Sequence, residues 1–395
     1  MRVLFLTHAF PRQSGDVAGA FLLRLARALV ATGTDVQVLA PASAGLPAQD
    51  VIDGIPVERF RYAPRRWETL AYTGTLAEQF TASWTGKVAL AGLIGCGALA
   101  VRRAASRHGA DLVHAHWWIP GGVSARWARL TGGPPYVLTL HGYDVLMLKR
   151  SRAARAMARG VLRGARVITA ASSYLATEAA QVAGIDPAGI VVRPMPTEVG
   201  GTVGDGPGGG GVVTVGRLTP FKRLDLLIDA IAALNKARGR PVRLTIVGDG
   251  TERAALEQRA RDRGIAGTTV FVGAVAPDQV PAAIAHADLF AFPAENEGLG
   301  LAAAEALMLG IPVVAARSGG VPDIVPATGA GRLVTPGDLQ GFVGAIAAVL
   351  DDPAARHRAR EVGSSLRQRL APAAVARVFA DVYHRALQSG LPSAK

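Results

Sequence analysis

A single cysteine, Cys96, occurs in 395 residues, so no intrachain disulfide can form and a disulfide-stapled scaffold is excluded. Aromatic residues are 6% and charged residues 18% of the chain, but 50% is hydrophobic. That is enough apolar material for sizeable cores, and it excludes intrinsic disorder. Long apolar runs are also missing. Val88 to Val101 spans 14 residues, short of the ~18 to 20 that cross a bilayer. Met1 to Arg12 has too short an apolar stretch for a secretory signal, and a reducing cytoplasm is the expected location. No G-x-G-x-x-G follows the first strand and no G-x-x-x-x-G-K-[ST] occurs, so dinucleotide dehydrogenases and P-loop enzymes lack their motifs.

What is present is alternation. Val3 to Leu6, a helical pattern over Gly19 to Thr32, and Val36 to Ala40 begin a βαβ series that continues at Leu112 to Ala115, Tyr136 to Leu140, Val167 to Ala170 and Ile190 to Val192. Between them, Thr69 to His108 reads as one or two helices. Gly200 to Gly211 holds eight glycines in twelve residues, a linker pattern. The alternation restarts at Val212 to Val215 and runs through Arg243 to Val247, Thr269 to Val272, Leu289 to Phe292, Pro312 to Ala315 and Arg332 to Val334. The spacing predicts an α/β protein of two doubly wound, Rossmann-like domains: residues 1–199, a linker at 200–211, and residues 212–372. A C-terminal helix within 373–395 is expected to pack back across them. Ligands of open parallel sheets bind beyond the strand carboxyl ends, so the site is expected in a cleft between the domains.

The strongest chemical signal is Ala294 to Gly310, AENEGLGLAAAEALMLG, where a strand leads through Glu295 and Glu297 into a helix starting near Gly300. The N–H groups of Leu299, Gly300 and Leu301 and the helix dipole favour an anion there. Glu297 and Glu305 flank it, with Glu305 expected to be buried; the pair suits a nucleotide sugar, the plainer reading being a loop Glu and a solvated helix Glu. Arg217 and Lys222, after the strand Val212 to Val215, can converge on a diphosphate or be solvated surface. The strand ends Val247-Gly-Asp-Gly and Phe271-Val-Gly273-Ala-Val275 admit close backbone approach. Gly15 follows the first strand and reads equally as a ligand loop or a plain turn. Thr139-Leu-His141-Gly-Tyr-Asp144 puts an imidazole and a carboxylate at a strand end. His114 and His116 share one strand face without a ligand triplet, so no metal site is assigned.

Taken together, the Gly15 loop, His114-Ala-His116, His141-Gly-Tyr-Asp144, Val215-Gly-Arg217 with Lys222, Val247-Gly-Asp249-Gly250, Phe271-Val-Gly273 and the E-x7-E pair Glu297 and Glu305 resemble the retaining glycosyltransferases of family 4, which have the GT-B fold. The resemblance implies transfer of a hexose-type sugar from a UDP- or GDP-sugar to a sugar or lipid-linked acceptor, in cell-envelope glycolipid or polysaccharide synthesis, with no cofactor beyond the donor. It places Glu297 and His141 at the reacting sugar and Glu305 on the ribose. Arg217 and Lys222 hold the pyrophosphate, Gly273 to Val275 border the base, and Gly15 lies near the donor phosphates. One departure is Pro194-Met-Pro196-Thr-Glu198, where similar proteins have an Asn-Gly or Met-Gly turn. No D-x-D pair occurs to hold Mg²⁺ or Mn²⁺ on the donor, and a metal-free mechanism is expected. A nucleotide-sugar epimerase of the same fold is the alternative enzyme.

Net charge is +13, unevenly distributed. Residues 1–195 carry 22 Lys and Arg against 11 Asp and Glu, and residues 196–395 carry 21 against 19. A basic first half fits nucleic acid or an anionic membrane face, but no reading motif for nucleic acid is present. Arg59, Arg61, Arg65, Arg66, Trp67, Trp84 and Lys87 precede Val88 to Val101, and Arg102, Arg103 and Arg107 follow it. That grouping suits peripheral association with the inner membrane face; the alternative is an ordinary buried helix with solvated arginines.

Overall fold

The computed structural model describes residues 1–16, 18–72, 83–149, 151–200, 209–276, 279–326 and 329–388. It divides into two compact units: Met1–Pro196 with Ala371–Lys395, and Thr197–Leu370. Most of the glycine-rich segment lies outside the described residues.

The first unit holds an eight-stranded sheet in the order β3-β4-β2-β1-β5-β6-β7-β8. Its strands are β1 (Arg2–Leu6), β2 (Asp35–Pro41), β3 (Gln49–Ile52), β4 (Ile55–Phe60), β5 (Leu112–His116), β6 (Tyr136–Leu140), β7 (Val167–Ala170) and β8 (Ile190–Val192). All neighbours are parallel except β3 and β4. That hairpin is absent from the sequence reading. It turns at Asp53 (φ 45°) and Gly54 (φ 82°), the left-handed pair of a type I′ turn.

Side-chain alternation along β1 divides the core. Val3 and Phe5 pack with the helices Ala20–Ala31 and Pro372–Gln388. Leu4 and Leu6 pack with Trp84–His108, Val123–Leu130, Arg152–Gly164 and Ser173–Ala183 on the other face. The C-terminal helix therefore belongs to the first unit, where Val375, Phe379, Val382 and Tyr383 are fully buried. Trp84–His108 is 25 residues long and, by length and composition alone, apolar enough to cross a membrane. It is longer than its apolar run suggests because the arginine-bearing end stays helical. Half of its apolar window is buried in this unit, with Ala89, Leu93, Val101 and Ala104 among its core residues.

The second unit holds a six-stranded parallel sheet in the order β11-β10-β9-β12-β13-β14. The strands are β9 (Val212–Val215), β10 (Leu244–Val247), β11 (Thr269–Gly273), β12 (Leu289–Phe292), β13 (Val313–Ala316) and β14 (Gly331–Val334). They read as continuous apolar runs because helices cover both faces: Leu224–Arg238 and Leu339–Leu350 on one, Leu301–Met308 and Ala355–Leu370 on the other.

Candidate active site

In each sheet the strand order reverses at one place, and there the two flanking loops leave in opposite directions and open a crevice. In the second unit the reversal lies between β9 and β12, which pair side by side. The loop after β9 carries Arg217 and Lys222; the loop after β12 carries Glu295 and Glu297. The fold thus brings together residues 75 apart in sequence: Lys222 Nζ donates to Glu297 Oε2 at 2.6 Å, and Lys222 also lies over the Phe292 ring at 5.0 Å. Beside it, Arg223 Nη1 donates to Glu295 Oε1 at 2.5 Å. Arg223 also pairs with Asp225, and these carboxylates hold its guanidinium more strongly protonated than usual, Asp225 first. Arg217 is exposed and has no side-chain partner among the described residues.

The helix Leu301–Met308 starts at Gly300, whose φ of 88° is left-handed, and no side chain caps it. Its first N–H groups and the positive end of its dipole stay available to an anion. Leu299 is buried, so it can offer only its backbone. Leu301, Ala302 and Glu305 form the less buried stripe of this helix. Glu305 is therefore half-buried rather than buried as expected, because it faces away from the Ala303, Ala306 and Leu307 side.

Backbone bonds hold the crevice loops. Gly320 N–H donates to the Glu297 carbonyl at 2.9 Å, and Glu295 N–H to that of Phe221 at 2.9 Å. Gly319 has φ 58°, and a Cβ there would sit 1.9 Å from the Glu297 carbonyl oxygen; no other residue fits that approach. Gly248 N–H donates to the Gly273 carbonyl at 2.8 Å, and Leu218 N–H to that of Asp249 at 2.9 Å. The loops after β9, β10 and β11 are so linked in series, and Val275 packs partly into the core beneath them.

In the first unit the reversal lies between β1 and β5. Gly15 is exposed in the loop after β1, with open space around it. Four histidines gather at this strand end. His114 Nδ1 is 2.8 Å from Tyr383 Oη and its Nε2 2.6 Å from Thr139 Oγ1. His116 Nδ1 is 3.1 Å from His141 Nε2. Trp117 lies between His8 and His141, 4.4 Å from each ring. Burial lowers all four pKa values: His8 to about 4, His141 to about 3, with His8 adding to the latter, and His114 and His116 well below the usual range. Asp144 does not stand at an open strand end. It is buried and accepts the N–H groups of Trp118, His141 and Gly142 at 3.2, 3.2 and 2.9 Å, which makes it the brace of the His141 turn. Its burial raises its pKa.

A family model for glycosyl transferases group 1 matches residues 210–365, and one for a glycosyl transferase 4-like domain matches residues 18–196. Over 291 residues the chain is 32% identical to the GDP-mannose-dependent alpha-(1-6)-phosphatidylinositol monomannoside mannosyltransferase of Mycobacterium tuberculosis, covering 68% of this chain and 73% of that one. The chain belongs to the family 4 glycosyltransferases. It is also 30% identical over 360 residues to 2-deoxystreptamine glucosyltransferase of Streptomyces kanamyceticus, covering 84% and 89%. Its fold is GT-B, like sucrose-phosphate synthase from Thermosynechococcus elongatus (TM-score 0.79, 20% identity, 98% and 100% covered). Anabaena HepE in complex with UDP is similar as well (0.71, 24%, 97% and 100%).

Within this glycosyltransferase, Lys222 and Glu297 share one crevice, and Arg217, Gly300, Leu301, Glu305 and Gly273 lie on the same sheet end. Three residues that the sequence reading passed over also belong to these strand ends. Arg223 is hidden in a Lys-Arg pair. His8 lies two residues after β1. Gly19, with φ 74°, starts the helix Ala20–Ala31 without a side-chain cap, as Gly300 does in the second unit; a glycine just before an apolar helical pattern is the signal both share.

Proposed function

We propose that this glycosyltransferase moves a hexose-type sugar from a UDP- or GDP-sugar to an acceptor hydroxyl with retention at the anomeric carbon and without a metal. The observation that carries this reading is the meeting of Lys222 and Glu297 at 2.6 Å beside the uncapped helix start at Gly300. The diphosphate takes Lys222, Arg217 and the helix end. Glu297, then released from Lys222, receives hydroxyls of the transferred sugar, and Glu305 the ribose. The bond from the anomeric carbon to the diphosphate breaks as the acceptor oxygen attacks from the same face, and the acceptor proton passes to the departing phosphate oxygen. Preorganised positive charge lowers this barrier. By resemblance, His141 adds a contact to the sugar. Relatives named for GDP-mannose dependence and a similar solved structure holding UDP-glucose support a nucleotide-sugar donor. The tests are calorimetry with UDP and GDP, the anomeric configuration of the product, and activity in EDTA. Glu297→Gln should mainly lower kcat and Glu305→Ala mainly weaken nucleotide binding; both variants near wild type would reject the site.

The acceptor, in this reading, is lipid-linked and met at an anionic membrane. Residues 83–164 carry 12 Lys and Arg against Asp111 and Asp144. Three neighbouring helices of this stretch expose Trp84, Val88, Leu99, Trp127, Leu130 and Met157. Lys87, Arg102 and Arg103 are exposed and have no acidic partner among the described residues. The basic group of the sequence reading needs revision. Arg59 is buried on Asp50 at 3.0 Å, and Arg61 is bound to Glu68 at 2.7 Å. Each cation near an anionic surface adds about 1 kcal/mol. Sedimentation should show binding to anionic but not zwitterionic vesicles, lost in high salt and in the triple variant Lys87→Glu, Arg102→Glu, Arg103→Glu. Absence of binding at low salt would leave a soluble acceptor.

A further inference from the structure

His116 lies wholly inside the first unit, packed edge-on against Phe5 at 5.1 Å. It is the last residue of β5, two after His114, which satisfies both of its own nitrogens on Tyr383 and Thr139. Among the described residues the His116 side chain has one polar partner, His141 Nε2, at 3.1 Å from its Nδ1, and its own Nε2 is buried with none.

That unpartnered nitrogen decides where the proton sits. A buried N–H without an acceptor is rarer and costlier than a buried lone pair without a donor. His116 Nε2 is then the bare lone pair, and the His116 proton is on Nδ1, pointing at His141. Two neutral imidazoles share one proton across such a contact, and burial keeps both neutral. His141 must accept at Nε2 and carry its own proton on Nδ1. The rest of the residue is fixed as well. Its ring lies on Trp117 at 4.4 Å, and its N–H donates to Asp144 Oδ1 at 3.2 Å. Among the described residues, Nδ1 has no hydrogen-bond partner.

We propose that His116 is a positioning residue for His141: by donating its Nδ1–H to His141 Nε2 it locks the Nδ1–H tautomer, so that His141 meets the sugar as a hydrogen-bond donor and not as a base. This rests on the reading of His141 as a contact to the transferred sugar. It also assigns a chemical sense to that contact: the ligand atom facing Nδ1 must be an acceptor oxygen. The arrangement requires no proton to be taken from the acceptor hydroxyl by His141, in keeping with transfer of that proton to the departing phosphate.

The test uses the full chain labelled with ¹⁵N-histidine, without ligand, at pH 7.5. Two-bond ¹H–¹⁵N correlation spectra distinguish the tautomers, with His141 assigned from His141→Gln. The wild type should show His141 as Nδ1–H. His116→Phe, which fills the same apolar space without a donor, should lose that pattern and lower kcat about tenfold, with donor KM within twofold. His116→Asn places an amide N–H where Nδ1–H stood and should restore both, and it serves as the readout if the Phe variant fails to fold. A wild-type His141 protonated on Nε2, or a tautomer unchanged in His116→Phe, overturns the proposal. A tautomer lost without any change in kcat overturns its part in turnover and leaves the glycosyltransferase reading standing.

Discussion

Lowering the pH from 7.5 to 5 should destabilise the first unit far more than the second. His8, His114, His116 and His141 are all held neutral by burial, from an ordinary value of 6.5. An unfolded chain binds a proton at each below that pH, while the folded unit does not. More protons on the unfolded state means that stability falls as pH falls. The loss begins near 6.5 and continues to about 4 for His8 and about 3 for His141. At pH 5 His8 and His141 each contribute about 2 kcal/mol of this loss, from 1.36 kcal/mol per unit over the interval below 6.5. The two give about 4 kcal/mol, a large share of the stability of a domain, about 5–15 kcal/mol, and His114 and His116 add to it in the same direction. Above pH 5 most carboxylates remain ionised; Asp144, whose pKa burial raises, works in the opposite direction to the four histidines. The five tryptophans are Trp67, Trp84, Trp117, Trp118 and Trp127, all in the first unit, and their fluorescence reports its urea unfolding alone. The midpoint should drop steeply between pH 6.5 and 5. In His8→Asn the slope should ease by about 1.4 kcal/mol per pH unit. A tryptophan midpoint constant from pH 7.5 to 5 would refute the reasoning.

Three further outcomes follow from single contacts. Lys222→Ala and Glu297→Gln should each weaken UDP or GDP binding or turnover about tenfold, roughly 1.4 kcal/mol. The double variant should lose less than the sum, because the two side chains are coupled; strict additivity would contradict the pairing. Gly319→Ala must relieve a 1.9 Å clash at a left-handed φ, costing about 1–3 kcal/mol, and should lower both thermal stability and donor affinity; a wild-type melting curve would count against the tight approach. Tyr383→Phe leaves His114 Nδ1 without its partner and should cost about 1–3 kcal/mol, seen in the tryptophan-detected transition.

The parallel strands were legible because covering helices on both faces make them short, uninterrupted apolar runs; β6, β7, β8, β9 and β12 have the bounds expected from sequence. Other elements lack that signature. β3 is the sheet edge, and β3 and β4 mix exposed with buried residues; their Asp53-Gly54 turn was the readable clue. The helix Ala355–Leu370 buries Ala355, Ala359, Gly363, Leu366 and Leu370, a stripe of mostly small residues amid arginines that hydropathy hardly registers. Gly363 lets it approach the Leu307 carbonyl. The glutamate loop stood out by its motif. The bond from Lys222 to Glu297 did not, since it depends on β9 and β12 being neighbours, which no local pattern encodes. Asp144 read as a carboxylate at an open strand end because sequence shows its proximity to His141 and not the three N–H groups turned onto it.

The second unit interrupts the first: the chain leaves at Pro196 and returns at Ala371. On the ribosome the eight-stranded sheet is synthesised long before the helix Pro372–Gln388 that covers Phe5, Val38 and His114. Until that helix emerges, only Ala20–Ala31 covers this side of the sheet and part of its apolar surface stays exposed, while the six-stranded unit can already close. Order of synthesis and order of completion are thus reversed. Nascent chains from which residue 370 has just cleared the ribosome should hold a finished C-terminal unit and an N-terminal one still sensitive to protease, dependent on chaperones for the time that about 170 residues take to be translated at ~5–20 per second.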